Sequence, residues 1–385
     1  MFLALLELKA ARGRFLLMGS VVVLVAALVG IVSGFTTGLG DDTVSALRRL
    51  PVTHIAFAEG TKSDQFARSL IDRRTVAGWT KEKDVEATPL GVAITRGTTD
   101  REVEVDLAAF GVEPGAFTDP GAEKGHRLDA GAPNGIVVSR RLVNDGIRIG
   151  DTLTIDRLGI RLKVTGITGH SSYGHVPVAY VTTDAWRRIR FTTPGARTTS
   201  TDLPGARTTS TDLPGQYTAM ALKAPAGLGG QTLAEADRRH NTATVPLQDA
   251  LAAAPGYDGE RLTMTSIQTF LFLIAPLVVG AFFAVWTVQR TPELALLRAM
   301  GASRRRLLGH TLAQAAVVVA AGTAVGAALA AAVGLLVGEQ VPFSLPAATL
   351  TTTMAAVALV GLAGSALTLR RVTTVDPMTM LGAAR

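Results

Sequence analysis

Long apolar runs and one long mixed region alternate along the chain. Four stretches contain no Asp, Glu, Lys or Arg: Phe15–Gly40, Ser266–Gln289, Leu307–Gly338 and Gln340–Leu369. Each holds the ~20 apolar residues a helix needs to cross a ~30 Å hydrocarbon core. The pattern predicts membrane helices over 15–36, 268–289, 311–337 and 347–369. Ahead of the first, Phe2, Leu3, Leu5, Leu6 and Leu8 with Glu7, Lys9 and Arg12 predict an amphipathic helix over 1–14, lying on the cytoplasmic leaflet. The first apolar run exceeds the 7–15 residues of a signal-peptide core and ends without a clear small-residue cleavage site, so it is expected to stay as an anchor.

Between the first and second runs, residues 41–265 mix strand and helix periods and are long enough for a core of their own. Gly135–Thr168 reads as a strand, a short helix and two alternating strands, with turns at Gly150-Asp151 and near Leu158-Gly159. Asp100–Val112 also alternates as a strand. PGARTTSTDL occurs at 194–203 and again at 204–213, which two polar copies make a duplicated loop rather than a solenoid. Pro276 is expected to kink the second span, and the Ala/Gly-rich third span to allow close helix contact.

Composition agrees with a membrane protein. Charged residues are 18% of the 385, against about 25% in soluble domains. With no cysteine, disulfides, thiol catalysis and Cys-held metals are excluded. The net charge of +7 is a matter of topology: eleven basic residues flank the spans on one side against three acidic ones, and the rest of the chain carries 27 and 28. The basic side is therefore cytoplasmic, both termini with it including the 370–385 tail, and residues 41–265 lie outside. Nucleic acid is not an expected partner.

The one strongly charged interruption is RTPELALLRAMGASRRRLLG, Arg290–Gly309. Thr291 suits an N-cap, Pro292 the first helical position and Glu293 the first turn. Gly301 stops the helix, and Ser303 caps the next one. Residues 291–306 thus predict a short capped helix and turn, shaped to dock in a groove of a cytosolic partner.

QRTPELALLRAMGAS, Gln289–Ser303, resembles the coupling segment of ABC-transporter permeases of the MacB/FtsX/LolC type, which reads R-x-x-E-[IL]-x-[LV]-L-[RK]-A-[LM]-G-A-S. VVSRRLVNDGIRIGDTLTI (137–155) is similar to that family's periplasmic core and VDPMTML (375–381) to its closing segment. The resemblance implies an α-helical membrane protein with four transmembrane helices and an α+β extracytoplasmic domain inserted between the first and second, the type VII architecture. It also implies a homodimer in the bacterial cytoplasmic membrane with two copies of an ABC ATPase. ATP and its magnesium belong to that partner, since no G-x-x-x-x-G-K-[ST] loop occurs here. Arg290, Glu293, Leu294, Leu297, Arg298, Gly301 and Ser303 are the residues expected to couple ATPase closure to the membrane helices.

Within the family, FLFLIAPLVVGAFFAVWTVQR and GHSSYGHVPVAYV are most similar to haem-exporting permeases of the DevC-related group. That likeness implies a hydrophobic substrate collected from the membrane, haem foremost. Phe35, Phe270 and Phe272, with Phe282 and Phe283, are candidates for apolar contact with it. Tyr173, His170 and His175 are candidates for iron ligation. Against this, such Phe residues commonly pack or face lipid, and the Tyr/His group has no specific metal spacing, so no resident metal or cofactor is expected. A permease for a lipid, peptide, antibiotic or cell-wall hydrolase partner remains an alternative, as does a membrane-anchored sensor without an ATPase. Enzyme chemistry has no support: Ser171 and His175 share a loop without a G-x-S-x-G elbow, and no catalytic residue is assigned.

Overall fold

The computed structural model describes residues 12–61, 65–192, 215–225, 227–228, 230–289, 303–337 and 341–373. The chain divides into two units, Met1–Leu39 with Arg261–Arg385, and Gly40–Glu260. In chain order the described helices are α1 (Arg12–Arg48), α2 (Gln65–Arg68), α3 (Arg73–Trp79), α4 (Arg140–Asn144), α5 (Thr183–Phe191), α6 (Gly230–His240), α7 (Leu247–Ala250), α8 (Tyr257–Gln289), α9 (Arg304–Val337) and α10 (Ala347–Thr373).

Four of them are long and apolar enough to cross a membrane, over Leu16–Arg48, Tyr257–Phe282, Leu312–Val337 and Ala347–Gly364. In lipid the helices gain little from burying apolar surface, so close packing must hold them together. The sequence supplies it through two stripes of small residues at four-residue spacing. Val22, Ala26 and Gly30 on α1 face Gly322, Gly326 and Ala330 on α9. A Cβ added to Gly322 would lie 2.7 Å from Val22, one on Gly326 2.5 Å from Ala26, and one on Gly30 2.8 Å from Ala330. One step further along both stripes, the ring of Phe343 fills the space left by Gly34 and Gly334. Helix α8 runs on through Pro276, as a helix in lipid can where its neighbours re-satisfy the freed backbone groups.

The second unit is built on strands β1 (His54–Ala58), β2 (Ile71–Asp72), β3 (Glu86–Thr99), β4 (Glu104–Val112), β5 (Lys124–Gly125), β6 (Gly135–Ser139), β7 (Thr152–Ile155), β8 (Ile160–Thr168), β9 (Ser172–Tyr173), β10 (Val176–Thr182), β11 (Gln216–Tyr217), β12 (Ala219–Lys223) and β13 (Thr242–Pro246). The main sheet runs β13–β1–β12–β3–β4–β10–β6–β8–β5. β10 with β4 and β6 with β8 are parallel, while the other pairings are antiparallel. Strand β7 pairs with both β3 and β8, so the path β3–β4–β10–β6–β8–β7 returns to its start and closes a ring of six strands.

Alternation explains the two cores on either face of this ring. Leu107, Ala109, Ile136, Val138, Leu153, Ile155, Leu162, Val164, Ala179 and Val181 share one cluster with Trp186. Their neighbours Ala108, Phe110, Val137, Val178 and Tyr180 point the other way, into a second cluster with Leu47, Ile55 and Phe57. Trp186 arrives on α5, which Thr182 caps by accepting from the Ala185 N–H at 3.2 Å. Its indole lies against Gly91 and Gly111, register partners on β3 and β4.

The strand–helix–strand–strand order expected over Gly135–Thr168 is the order found, with Gly150 and Gly159 in the left-handed region at its two turns. The strand expected from Asp100 begins instead at Glu104. Residues 100–103 turn the chain from β3 into β4, with Glu102 at φ 61° and Val103 O accepting from Thr99 N at 2.9 Å. Alternation alone does not separate a charged turn from a charged strand end.

Candidate functional site

Arg290, Glu293, Leu294, Leu297, Arg298 and Gly301 lie outside the described residues, as do most of the 1–14 segment and the 194–213 repeat. Ser303 is described; it is exposed and directly precedes α9.

The aromatic candidates in the membrane helices differ in setting. Phe35 meets Phe343 edge-on, with ring centroids 5.3 Å apart. Phe272 is half-buried against Ala26, Val29, Met354 and Val357, whereas Phe270 is 63% exposed. Phe270 belongs to a row on α8 at three- and four-residue spacing, Ile267, Phe270, Ile274, Leu277, Ala281, Val285 and Val288, every member exposed. Phe282 is exposed as well, and the side chain of Phe283 lies outside the described set. An uninterrupted apolar row of this kind is stable only against lipid, another helix or a hydrophobic ligand.

The polar candidates sit on the β9–β10 hairpin. Its two turn residues, Gly174 (φ 57°) and His175 (φ 67°), are both left-handed, as a two-residue turn matched to strand twist requires. Tyr173 is only 2% exposed, and its ring packs edge-on against Phe66 and Phe110. His170 is exposed, and its carbonyl accepts from Arg49. The structure therefore separates the three: one ring in the core, one on the surface, and one at the tip.

At the tip, His175 Nε2 is 2.6 Å from Glu260 Oε1 and Nδ1 is 3.3 Å from Asp42 Oδ2. Thr43 Oγ1 donates to the other Glu260 oxygen at 2.9 Å. Arg141 donates to Asp42 and, at 3.1 Å, to Ser172 Oγ. Backbone contacts fasten the same hairpin: Gly174 N donates to Thr43 O at 2.9 Å and Ser172 N to Ser45 Oγ at 2.8 Å. Burial opposes charging of the imidazole, but hydrogen bonds and charges from Glu260 and Asp42 outweigh it, and the His175 pKa is raised. Asp42, Arg141 and Glu260 carried no signal in the sequence, because 133 and 85 residues separate His175 from its two carboxylates. Among the described residues, no group of three or more His, Asp or Glu is arranged to hold a metal ion.

Residues 265–377, which include most of α8, all of α9 and α10 and the arginine-rich segment between α8 and α9, match the FtsX-like permease C-terminal family. The chain carries an FtsX-like permease domain. This permease is 23% identical over 383 residues to the protein of Staphylococcus haemolyticus (strain JCSC1435) named "Putative hemin transport system permease protein HrtB", covering 99% of each chain. A protein of the same name from Staphylococcus epidermidis (strain ATCC 12228 / FDA PCI 1200) is 21% identical, again over 99% of each. Among solved structures, the permease is similar to the periplasmic region of MacB from Actinobacillus actinomycetemcomitans, with TM-score 0.37 and 8% identity over 53% of this chain and 95% of that one. It is also similar to the extracellular domain of the noncanonic ABC-type transporter YknZ from Gram-positive bacteria, with TM-score 0.34 and 10% identity over 50% of this chain and 98% of that one. The permease carries four helices long and apolar enough to cross a membrane and, between the first and second in sequence, a large mixed α/β unit.

Proposed function

We propose that this chain is the permease subunit of an ABC exporter that removes a hydrophobic substrate, haem, from the bacterial cytoplasmic membrane. The observation that carries the reading is the FtsX-like permease domain over 265–377, which encloses the segment Gln289–Ser303. Two copies of a separate ATPase bind that segment and hydrolyse ATP, and their closure moves the helices on either side of it. The uncovered row on α8 supports pairing with a second copy of the chain. The excess of basic residues at the span ends supports cytoplasmic termini and an extracytoplasmic Gly40–Glu260 unit.

Haem is favoured because relatives named for hemin transport match over nearly the whole length. A flat, apolar porphyrin also partitions into lipid, where the exposed aromatic side chains of α8 offer it contact. With Tyr173 packed inside, the exposed His170 and the tip residue His175 are the hairpin groups within reach of a ligand.

The test is haemin tolerance of cells with and without the gene, together with haemin titration of the purified complex followed by absorbance. Gene-dependent tolerance and a bound-haem band are expected. Equal tolerance and an unchanged spectrum would replace haem by another hydrophobic client. Failure of the chain to stimulate or co-purify with an ABC ATPase would overturn the permease reading itself.

A further inference from the structure

The chain passes into the Gly40–Glu260 unit along α1 and leaves it along α8, and the side chains at these two points meet on one imidazole. Asp42 belongs to the helix that carries the first apolar run, and Glu260 to the helix that carries the second. His175 contacts both carboxylates, each through a different ring nitrogen.

The chemistry of that bridge depends on protonation. Ionised carboxylates only accept hydrogen bonds, and a neutral imidazole has one N–H and one lone pair. Whichever tautomer forms, a neutral His175 turns its lone pair towards one of the two carboxylates. Only the doubly protonated ring donates to both, and it then forms two charge-assisted bonds of the stronger kind. We propose that His175 is a proton-dependent clip that fastens Asp42 to Glu260 when charged and releases one of them when neutral.

The surrounding charges leave the bridge to this imidazole. On α1, Asp42 also receives Arg141 from α4, while Asp41 is paired with Arg48. Arg48 further donates to the Tyr257 hydroxyl at 3.3 Å, and Arg49 is engaged with the His170 carbonyl. On α8, Glu260 receives Thr43 and His175. Asp42 keeps Arg141 as a second cationic partner whether or not the ring is charged, whereas the other side chain bonded to Glu260 is the neutral Thr43 hydroxyl. The raised His175 pKa has the matching sign. A raised value means the closed clip is fully present below the ordinary imidazole range, about 6.5, and is lost as pH rises through the raised value. The hairpin is built to hold the ring in place, since His175 occupies a left-handed position and the neighbouring Gly174 N–H is bonded to Thr43. Asp42, His175 and Glu260 all lie within the Gly40–Glu260 unit, so the clip is independent of which substrate the permease carries.

The experiment is hydrogen–deuterium exchange of the full-length chain in lipid nanodiscs at pH 5.5 and 8.5, corrected for the intrinsic pH dependence of exchange. Peptides spanning 40–49, 171–178 and 255–262 are compared with β4 as an internal reference. Loss of one hydrogen bond to a charged group predicts roughly tenfold faster corrected exchange in these three peptides at the higher pH, with β4 unchanged. His175→Asn keeps a residue that tolerates the left-handed turn and should exchange quickly at both pH values. Glu260→Gln should likewise lose the pH dependence and serves if the hairpin variant does not fold. Equal corrected exchange of the natural chain at both pH values, or an undiminished pH response in either variant, would overturn the clip.

Discussion

Gly326 on α9 lies so close to Ala26 on α1 that a Cβ added to the glycine would stand 2.5 Å from the alanine Cβ. The same addition would also come within 2.9 Å of the Ala27 nitrogen and the Val23 carbonyl. Backbone cannot give way as a flexible side chain can. Gly326→Leu is therefore expected to force α1 and α9 apart and destabilise the chain by about 1–3 kcal/mol, the usual range for overpacking. Thermal unfolding in detergent should show a lowered midpoint, and Gly326→Ala a smaller drop in the same direction. An unchanged midpoint for Gly326→Leu would mean that the two helices do not pack through this stripe.

Trp186 fills the space that the Gly91–Gly111 pair leaves open, and a Cβ on Gly111 would lie 2.5 Å from the Trp186 Cβ. Trp186→Ala is expected to cost about 3–5 kcal/mol. Gly91→Ala should also destabilise, by pushing the indole from its seat. Because the two residues touch, the double variant Gly91→Ala/Trp186→Leu should cost less than the sum of its parts. Strict additivity in denaturant titrations would contradict the contact.

Asp151 accepts from two of the Arg101 nitrogens, Nε at 3.0 Å and Nη2 at 2.6 Å, and from the Arg148 N–H at 2.8 Å. The Arg101 hydrogen bond, helped by the Arg148 N–H and both guanidinium charges, lowers its pKa against the opposing effect of burial. A lowered carboxylate pKa stabilises the fold above the ordinary Asp value of about 3.9, and that contribution is lost as pH falls through the lowered value. Asp151→Asn should therefore narrow the stability difference between pH 6 and pH 3. A variant whose acid sensitivity equals that of the natural chain would remove Asp151 from the acid response.

For the segment proposed to bind the ATPase the expected outcome is functional. Glu293→Arg reverses the charge where the sequence predicts a helix to start, and Gly301→Leu replaces the glycine predicted to stop it. Both should uncouple the ATPase of the reconstituted complex, leaving subunit hydrolysis but losing stimulation by the permease. Full stimulation in both variants would move the ATPase contact elsewhere.

Local rules reached far into this protein. The apolar spans were legible because twenty uncharged residues in a row is a property of composition, and no distant contact changes it. The order of elements over Gly135–Thr168 was legible because left-handed glycines and a period of two mark hairpins where they stand. The Ala/Gly-rich third span announced close packing, though not its partner. The turn at 100–103 was missed, since a charged turn and a charged strand end look alike without the partner strand.

The candidate hairpin marks the boundary most clearly. Its sequence puts two histidines and a tyrosine within six residues, and nothing local tells their environments apart. The left-handed turn at Gly174-His175 is what turns Tyr173 into the core and leaves His175 at the tip beside Asp42 and Glu260. The closure of the six-stranded ring through β7 is of the same kind. By itself the sequence determined which segments suit lipid, where along the chain the basic residues gather, and where the chain turns, because each follows from neighbouring residues. The tertiary structure alone decided which carboxylates share an imidazole and which glycines face which side chains. Those depend on strand register and helix contact across scores of residues, where burial and steric fit choose the partner and sequence distance carries no information.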